Sequence, residues 1–338
     1  VSEDGGTSTI TATLSGKTYE NVTVTLGNSG TATSGTDYSY TGSITIAAGS
    51  LTGTDTFTST ADDLYDAASA ESATIEISGI SGGGASESGT QSVAIAITDA
   101  ESAPTVTLGV NSSSIAENSG SSITVTATLS NKSYQEITVG LSATGGDATV
   151  VSGTDFSVPS SISISPNTSS GSVAFTPTDD SSDPVYEEDE IVTLAISGVT
   201  VGSASLGSTV SKTITITENE TVPSVTLTGT TSIDEKTETA AVTATLSIKA
   251  DAAITLALSK SGTATNSTDY SISDITVLAG STSASSTLTP VSDTDYEGGS
   301  ETVILSASAS GISGISNSNA ITITITNKAL NSGTTATY

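Results

Sequence analysis

The sequence predicts an all-β chain of three tandem immunoglobulin-like, seven-stranded β-sandwiches arranged end to end. Three observations predict it. Ser and Thr supply 126 of the 338 residues, with 32 Gly and only 4% aromatic side chains. That composition favours half-exposed strands joined by small turns over a helical core. Second, Val, Ile and Leu alternate with Thr in run after run, which is the period of a strand with one buried face. Third, the chain repeats itself.

The repeat is read from three markers in constant order. Ser34-Gly35-Thr36-Asp37-Tyr38 recurs as Ser152-Gly153-Thr154-Asp155-Phe156 and as Asn266-Ser267-Thr268-Asp269-Tyr270, the aspartates lying 118 and 114 residues apart. Ahead of each stands a glutamate, Glu3, Glu117 and Glu235, spaced by 114 and 118. Behind each comes an acidic cluster with an aromatic: Asp62-Asp63-Leu64-Tyr65-Asp66, Asp179-Asp180 through Tyr186-Glu187, and Asp293-Thr294-Asp295-Tyr296-Glu297. A period near 115 residues suits one sandwich domain. Residues 1–101, 103–220 and 222–328 are therefore read as three repeats, and 329–338 as a polar tail.

Within each repeat the strands declare themselves by alternation. Val22, Val24 and Leu26 form one such run, Ile123, Val125, Ala127 and Leu129 another, and Val242, Ala244 and Leu246 a third. Each repeat closes on a further alternation, at Val93-Ile95-Ile97, Ile214-Ile216 and Ile321-Ile323-Ile325. Gly49-Ser50, Pro166-Asn167 and Gly280-Ser281 mark turns between strands. Pro104 and Pro223 open the second and third repeats at strand-starting positions, which proline tolerates. The first repeat has no counterpart to that opening strand. The chain begins at Val1 without a signal peptide, so it reads as a mature or excised piece.

Charge narrows the chemistry. Thirty-six acidic residues against 7 Lys and Arg give a formal net charge of −29, which repels nucleic acid and anionic membrane surfaces. No stretch is long and apolar enough to span a bilayer as a helix. With no His and no Cys, a catalytic triad, a thiolate nucleophile and a zinc or haem site are all excluded. Oxygen ligands remain, and they select hard cations.

The acids fall in four recurring positions. The first is Glu3, Glu117 and Glu235; the second Asp37, Asp155 and Asp269. The third is the mid-repeat cluster of Asp62, Asp63 and Asp66, of Asp179, Asp180, Glu187 and Glu190, and of Asp293, Asp295, Glu297 and Glu301. Two extra residues separate Asp66 from Glu71, so the ligand set of the first repeat omits Glu71. The fourth position follows the last strand: Asp99 and Glu101, then Glu218 and Glu220, but Asn327 and Lys328 in the third repeat. Crowded carboxylates repel one another, and a divalent cation relieves that repulsion. Calcium, which takes six to eight oxygens from several loops, is the expected ion. Lys328 in place of an acid makes the third site degraded or empty.

These motifs resemble the Calx-β family. The resemblance is carried by Ile115-Ala-Glu117-Asn-Ser-Gly, Gly153-Thr-Asp155-Phe, Asp179-Asp180 through Tyr186-Glu187-Glu188-Asp189-Glu190, and Ile214-Thr-Ile216-Thr-Glu218-Asn-Glu220. It extends to the third repeat at Gly262 to Tyr270 and Tyr296-Glu297-Gly-Gly-Ser-Glu301. Such a resemblance implies sandwiches that hold calcium in loops at one end, next to the following domain, in bacterial surface proteins of adhesin type. The family's closing run is usually two or three aspartates, so Asp99-Ala-Glu101 and Glu218-Asn-Glu220 each lose a carboxylate.

The expected function is a non-enzymatic, calcium-stiffened extracellular spacer, partnered by neighbouring repeats or subunits. Two alternatives accompany it. One is a filament subunit in which a strand adds to the open edge of the first repeat. The other is a module binding carbohydrate, protein or ice, with Tyr19 and Tyr134 in equivalent loops. A glycosidase would need two acids across a cleft, and crowded clusters at repeat ends do not offer that.

Overall fold

The computed structural model describes residues 1–66, 71–146, 154–292 and 299–326. Every regular element in them is a β-strand except one single-turn 3-10 helix, Glu117–Ser119. Asp293, Asp295, Glu297, Asn327, Lys328 and the tail 329–338 lie outside the described residues.

Alternation in sequence becomes alternation in burial. Along Ile123–Leu129 and Ala240–Leu246 the odd and even positions switch strictly between buried and accessible, so one face packs and the threonine face meets water. Three separate apolar cores result. They centre on Phe57 with Ile44 and Ile46, on Phe175 with Ile162 and Ile164, and on Tyr270 with Leu288 and Leu256.

Two sheets enclose each core. In the first repeat, Thr7–Thr13, Thr52–Ser59 and Tyr38–Ser39 face a sheet ordered Ser43–Ile46, Val22–Gly30, Glu71–Ser81, Ser92–Ile97. In the second, Phe156–Ser157, Ser170–Pro177, Ile123–Leu129 and Thr105–Val110, edged by Ser205–Leu206, face Ser114–Ala116, Ser211–Thr217, Glu190–Val201, Ile137–Gly145 and Ser161–Ile164. The third repeats this plan, with Val225–Gly229 beside Ala240–Leu246 and Ser232–Asp234 beside Ile321–Thr326.

The opening strand divides between sheets. In the second repeat its first half, Thr105–Val110, runs antiparallel to Ile123–Leu129. Its second half, Ser114–Ala116, crosses to run parallel to the closing strand, Ile115 opposite Ile216. In the first repeat the second half is present as a parallel bridge of Ser2 with Thr98. The first repeat thus does carry this part of the opening strand, which the sequence reading did not expect there.

Close backbone packing sets the acid-bearing loops. Gly30 and Gly262 sit at φ of 123° and 121°, and a Cβ there would meet the carbonyl oxygens of Ser72 and Thr302 at 2.1 and 2.2 Å. The same two carbonyls accept the N–H groups of Thr31 and Ala32, and of Thr263 and Ala264. The loop that carries Asp37 or Asp269 is thereby stitched to the strand that starts at Glu71 or Glu301.

A candidate cation site at the end of the first two repeats

Four chain segments converge at one end of the first two repeats. The bridge around Ser2 brings Glu3 beside the end of the closing strand, and the N–H of Ala100 donates to Glu3 Oε1 at 3.4 Å. In the second repeat Ile115 pairs opposite Ile216 and brings Glu117 to the same end, where its Oε1 instead accepts the N–H of Asp180 from the mid-repeat cluster at 3.2 Å. Asp62 and Asp180 take equivalent places, accepting the N–H groups of Leu64 at 2.7 Å and Val185 at 2.5 Å. Asp99 and Glu218 match as well: they accept from Asp66 at 2.8 Å and Glu187 at 2.5 Å, and from Glu101 at 3.0 Å and Glu220 at 2.6 Å. Backbone donors therefore aim each carboxylate before any ion is considered.

Asp37 and Asp155 arrive from the other sheet. Asp37 Oδ2 accepts the N–H of Thr33 at 2.6 Å, and Asp269 accepts from Thr265 at 2.5 Å, so each closes its own loop. The next residue anchors the loop in the core: Tyr38, Phe156 and Tyr270 are at most 1% exposed. Tyr38 stacks on Phe57 and Phe156 on Phe175, with ring centroids 4.6 and 5.1 Å apart.

Three groups of carboxylate oxygens each lie within 4.8 Å of one another: Glu3, Asp62 and Glu101; Glu117, Asp179 and Asp180; and Glu117, Glu218 and Glu220. Glu117 belongs to both groups of the second repeat, so two cation positions there would share it. Glu101 Oε2, Asp180 Oδ1 and Glu220 Oε2 are buried and meet no hydrogen-bond donor. A buried oxygen without a donor is costly, and a cation is the ligand that would satisfy it. The donor set is all oxygen, which fits a hard divalent ion.

Electrostatics tell the same story. Burial first, and then the neighbouring Glu101 carboxyl, pushes Glu3 up to about 8. Glu187 is pushed up to about 8 by burial and by the charges of Glu190 and Asp155. Burial with the charges of Asp180 and Glu218 raises Glu117 to about 7, and burial with Glu218 raises Glu220 to about 7. Asp99 and Asp180 are raised chiefly by burial. Groups held this far from their ordinary range strain to ionise together, and a divalent charge would let them do so.

Glu71 and Asp63 stand elsewhere than the sequence reading put them. Glu71 pairs opposite Ile97, the place that Glu190 takes opposite Ile216 and Glu301 opposite Ile325. The strand register at this position is therefore the same in all three repeats. Burial and the charges of Asp37 and Asp66 raise Glu71, which places it in the same acidic field. Asp63 instead turns to the second repeat, where Lys132 reaches its Oδ2 at 2.8 Å and holds its carboxyl below the usual range. In the third repeat Glu235 is buried, its N–H donating to Thr326 O at 3.2 Å. Among the described residues, the grouped acids belong to the first and second repeats.

Beside each cluster the next repeat begins. Leu64–Tyr65 pairs in parallel with Lys132–Ser133, and Val185–Tyr186 with Lys249–Ala250. Tyr134 and Asp251 donate their N–H groups to Tyr65 and Tyr186 carbonyls at 3.0 and 3.2 Å. A lysine closes both junctions, Lys132 on Asp63 and Lys249 on Asp183 at 2.5 Å. The sequence reading named neither lysine; their shared offset behind the Thr-Ala-Thr-Leu strands was the available signal.

Fold and site together define a tandem β-sandwich protein with carboxylate-rich loops at repeat ends. No family model and no curated protein matches the chain. Among solved structures it is similar to the calcium binding domain CBD12 of CALX1.1, at 12% identity and TM-score 0.27, over 63% of this chain and 94% of that one. It is also similar to invasin, a bacterial integrin-binding protein (16%, TM-score 0.32, 94% of this chain and 56% of that one). The Escherichia coli adhesin FdeC is a third (15%, TM-score 0.26, 96% and 97%). The fold assignment rests on the sheet topology of the chain itself.

Proposed function

We propose that this chain is a non-enzymatic spacer of a bacterial surface adhesin, and that calcium at the repeat ends stiffens its junctions. Residues 1–101, 103–220 and 222–328 act as its units, which three separate cores support. One observation carries the reading: Glu101, Asp180 and Glu220 present buried oxygens without donors, inside clusters that abut the next repeat. Calcium fits better than magnesium, because the oxygens come from four segments of flexible geometry and magnesium demands a strict octahedron. Bound there, the ion would tie the Glu3 or Glu117 turn, the acidic loop and the exit from the closing strand into one body. Extracellular calcium modules bind at about 10⁻⁴ to 10⁻³ M, a range suited to calcium outside cells. No helix among the described residues is long and apolar enough to cross a membrane.

Calorimetric titration of the whole chain with calcium tests the site. Asp62→Asn with Glu101→Gln, and Asp180→Asn with Glu220→Gln, should each remove a binding step. Small-angle scattering with calcium and with chelator tests the spacer: the distribution of interdomain distances should narrow when calcium binds. Unchanged scattering despite measured binding would leave calcium sites that do not stiffen, and the spacer reading would fall.

A further inference from the structure

One loop of the second repeat is built into the third. Along residues 185–189 alternate positions serve alternate repeats. Three of them hold to the acidic cluster of their own repeat. The N–H groups of Val185 and Glu187 donate to Asp180 and Glu218 at 2.5 Å, and Asp189 Oδ1 accepts the N–H of Glu218 at 3.1 Å. The two between them hold to the third repeat. Tyr186 is 8% exposed, and its side chain belongs to the third apolar core, with Ala250 and Ile312. Its carbonyl accepts the N–H of Asp251 at 3.2 Å. Glu188 Oε1 accepts the N–H of Ser313 at 2.6 Å. It does so from a φ of 61°, a region that residues with a Cβ seldom adopt unless their contacts hold them there. The receiving loop is itself fixed: Ile312 is buried, and a Cβ on Gly314 would stand 3.8 Å from Val222 between the repeats. The first junction differs, because Tyr65 is only half-buried and is not among the apolar residues of the second core.

We propose that residues 185–189 transmit calcium occupancy of the second repeat to the folding of the third. The inference rests on the calcium reading above. With the ion bound, Asp180 and Glu218 are held in place, and the N–H groups that they accept hold the loop. Tyr186 then stays seated in the third core and Glu188 on Ser313. Without the ion the crowded carboxylates repel one another and the loop loosens. The third repeat then loses an aromatic from its core and an acceptor from its wall. Among the described residues it groups no acids of its own, so the nearest cation that can steady it is the one in the second repeat. A ligand that binds one state better than another shifts the balance by that difference, and the coupling runs both ways.

Hydrogen exchange of the whole chain, with calcium and with chelator, tests it alongside calorimetric titration. Calcium should slow exchange in the strands of the third repeat by at least about fivefold, the lower end of typical coupling between sites. Asp180→Asn with Glu220→Gln should abolish that gain, and Asp62→Asn with Glu101→Gln should leave it. Tyr186→Ala should abolish it too, and by reciprocity should weaken the calcium step of the second repeat by the same factor. Tyr186→Phe should keep the gain, since it is the ring that enters the core. Glu188→Ala, which leaves the core intact, should reduce it, so the test stands even if Tyr186→Ala does not fold. Calcium bound at the second repeat with no change in third-repeat exchange would overturn this proposal alone. No binding there would overturn the calcium reading and this proposal with it. A full gain retained in Glu188→Ala and Tyr186→Ala would place the coupling outside this loop and overturn the proposal.

Discussion

Phe156 shows how one residue serves both fold and site. Its ring is 1% exposed and stacked on Phe175, while the residue before it, Asp155, takes its place among the acids. Phe156→Ala should cost about 3–5 kcal/mol in denaturant unfolding of the second repeat, as aromatic truncation in a packed core does. It should also weaken calcium binding, because the loop loses its anchor. Asp180 and Glu220 behave in the opposite sense. Each buries an oxygen with no donor, so Asp180→Asn with Glu220→Gln relieves repulsion within the cluster. Thermal unfolding of that double variant in chelator is expected at or above the parent's temperature, and added calcium should no longer raise it. A large loss of stability in chelator would mean the acids are structural.

At the scale of the elements, the strands fix where the acids sit and the loops fix how they titrate. Glu3, Glu187, Glu117 and Glu220 hold their protons up to about 8, 8, 7 and 7 in the folded chain, against an ordinary value of 4.5. Between those limits the folded state binds more protons than the unfolded, so stability falls as pH rises. Melting of the calcium-free protein should therefore drop steadily from pH 5 to pH 8. Saturating calcium should flatten or reverse that slope, since the ion stabilises the ionised clusters. A metal-free melting temperature that rises over this window would contradict the raised pKa values. Gly30 tests the stitch between loop and strand. Gly30→Ala places a Cβ where the Ser72 carbonyl stands, in a backbone region that L residues avoid. We expect more than 1 kcal/mol of destabilisation by denaturant melting.

The whole molecule is joined by small contacts. Each junction holds a two-residue parallel bridge and one lysine–carboxylate pair, and Asp63 and Asp183 are both 76% exposed. Pairs this exposed contribute about 0–1 kcal/mol and are screened by salt. Lys132→Ala should thus leave melting almost unchanged and widen the interdomain distances seen by scattering in chelator. In calcium the widening should be smaller, because the ion and not the lysine then sets the angle.

The period, the all-β class, the alternating strands and the four acidic positions could all be read from the sequence, because each is a local pattern. Threonine alternating with valine states a half-buried strand wherever it occurs, and Asp-Tyr recurring at one spacing states a repeated loop. Tertiary structure alone decided which acids face one another. Glu71 joined the acidic field because it pairs opposite Ile97 as Glu190 pairs opposite Ile216, while Asp63 left it for a lysine 69 positions away in the chain. The opening strand's division between two sheets was equally out of reach, since pairing partners are chosen across space. Local periodicity specifies a strand and its buried face; only the packed sheets specify its neighbour.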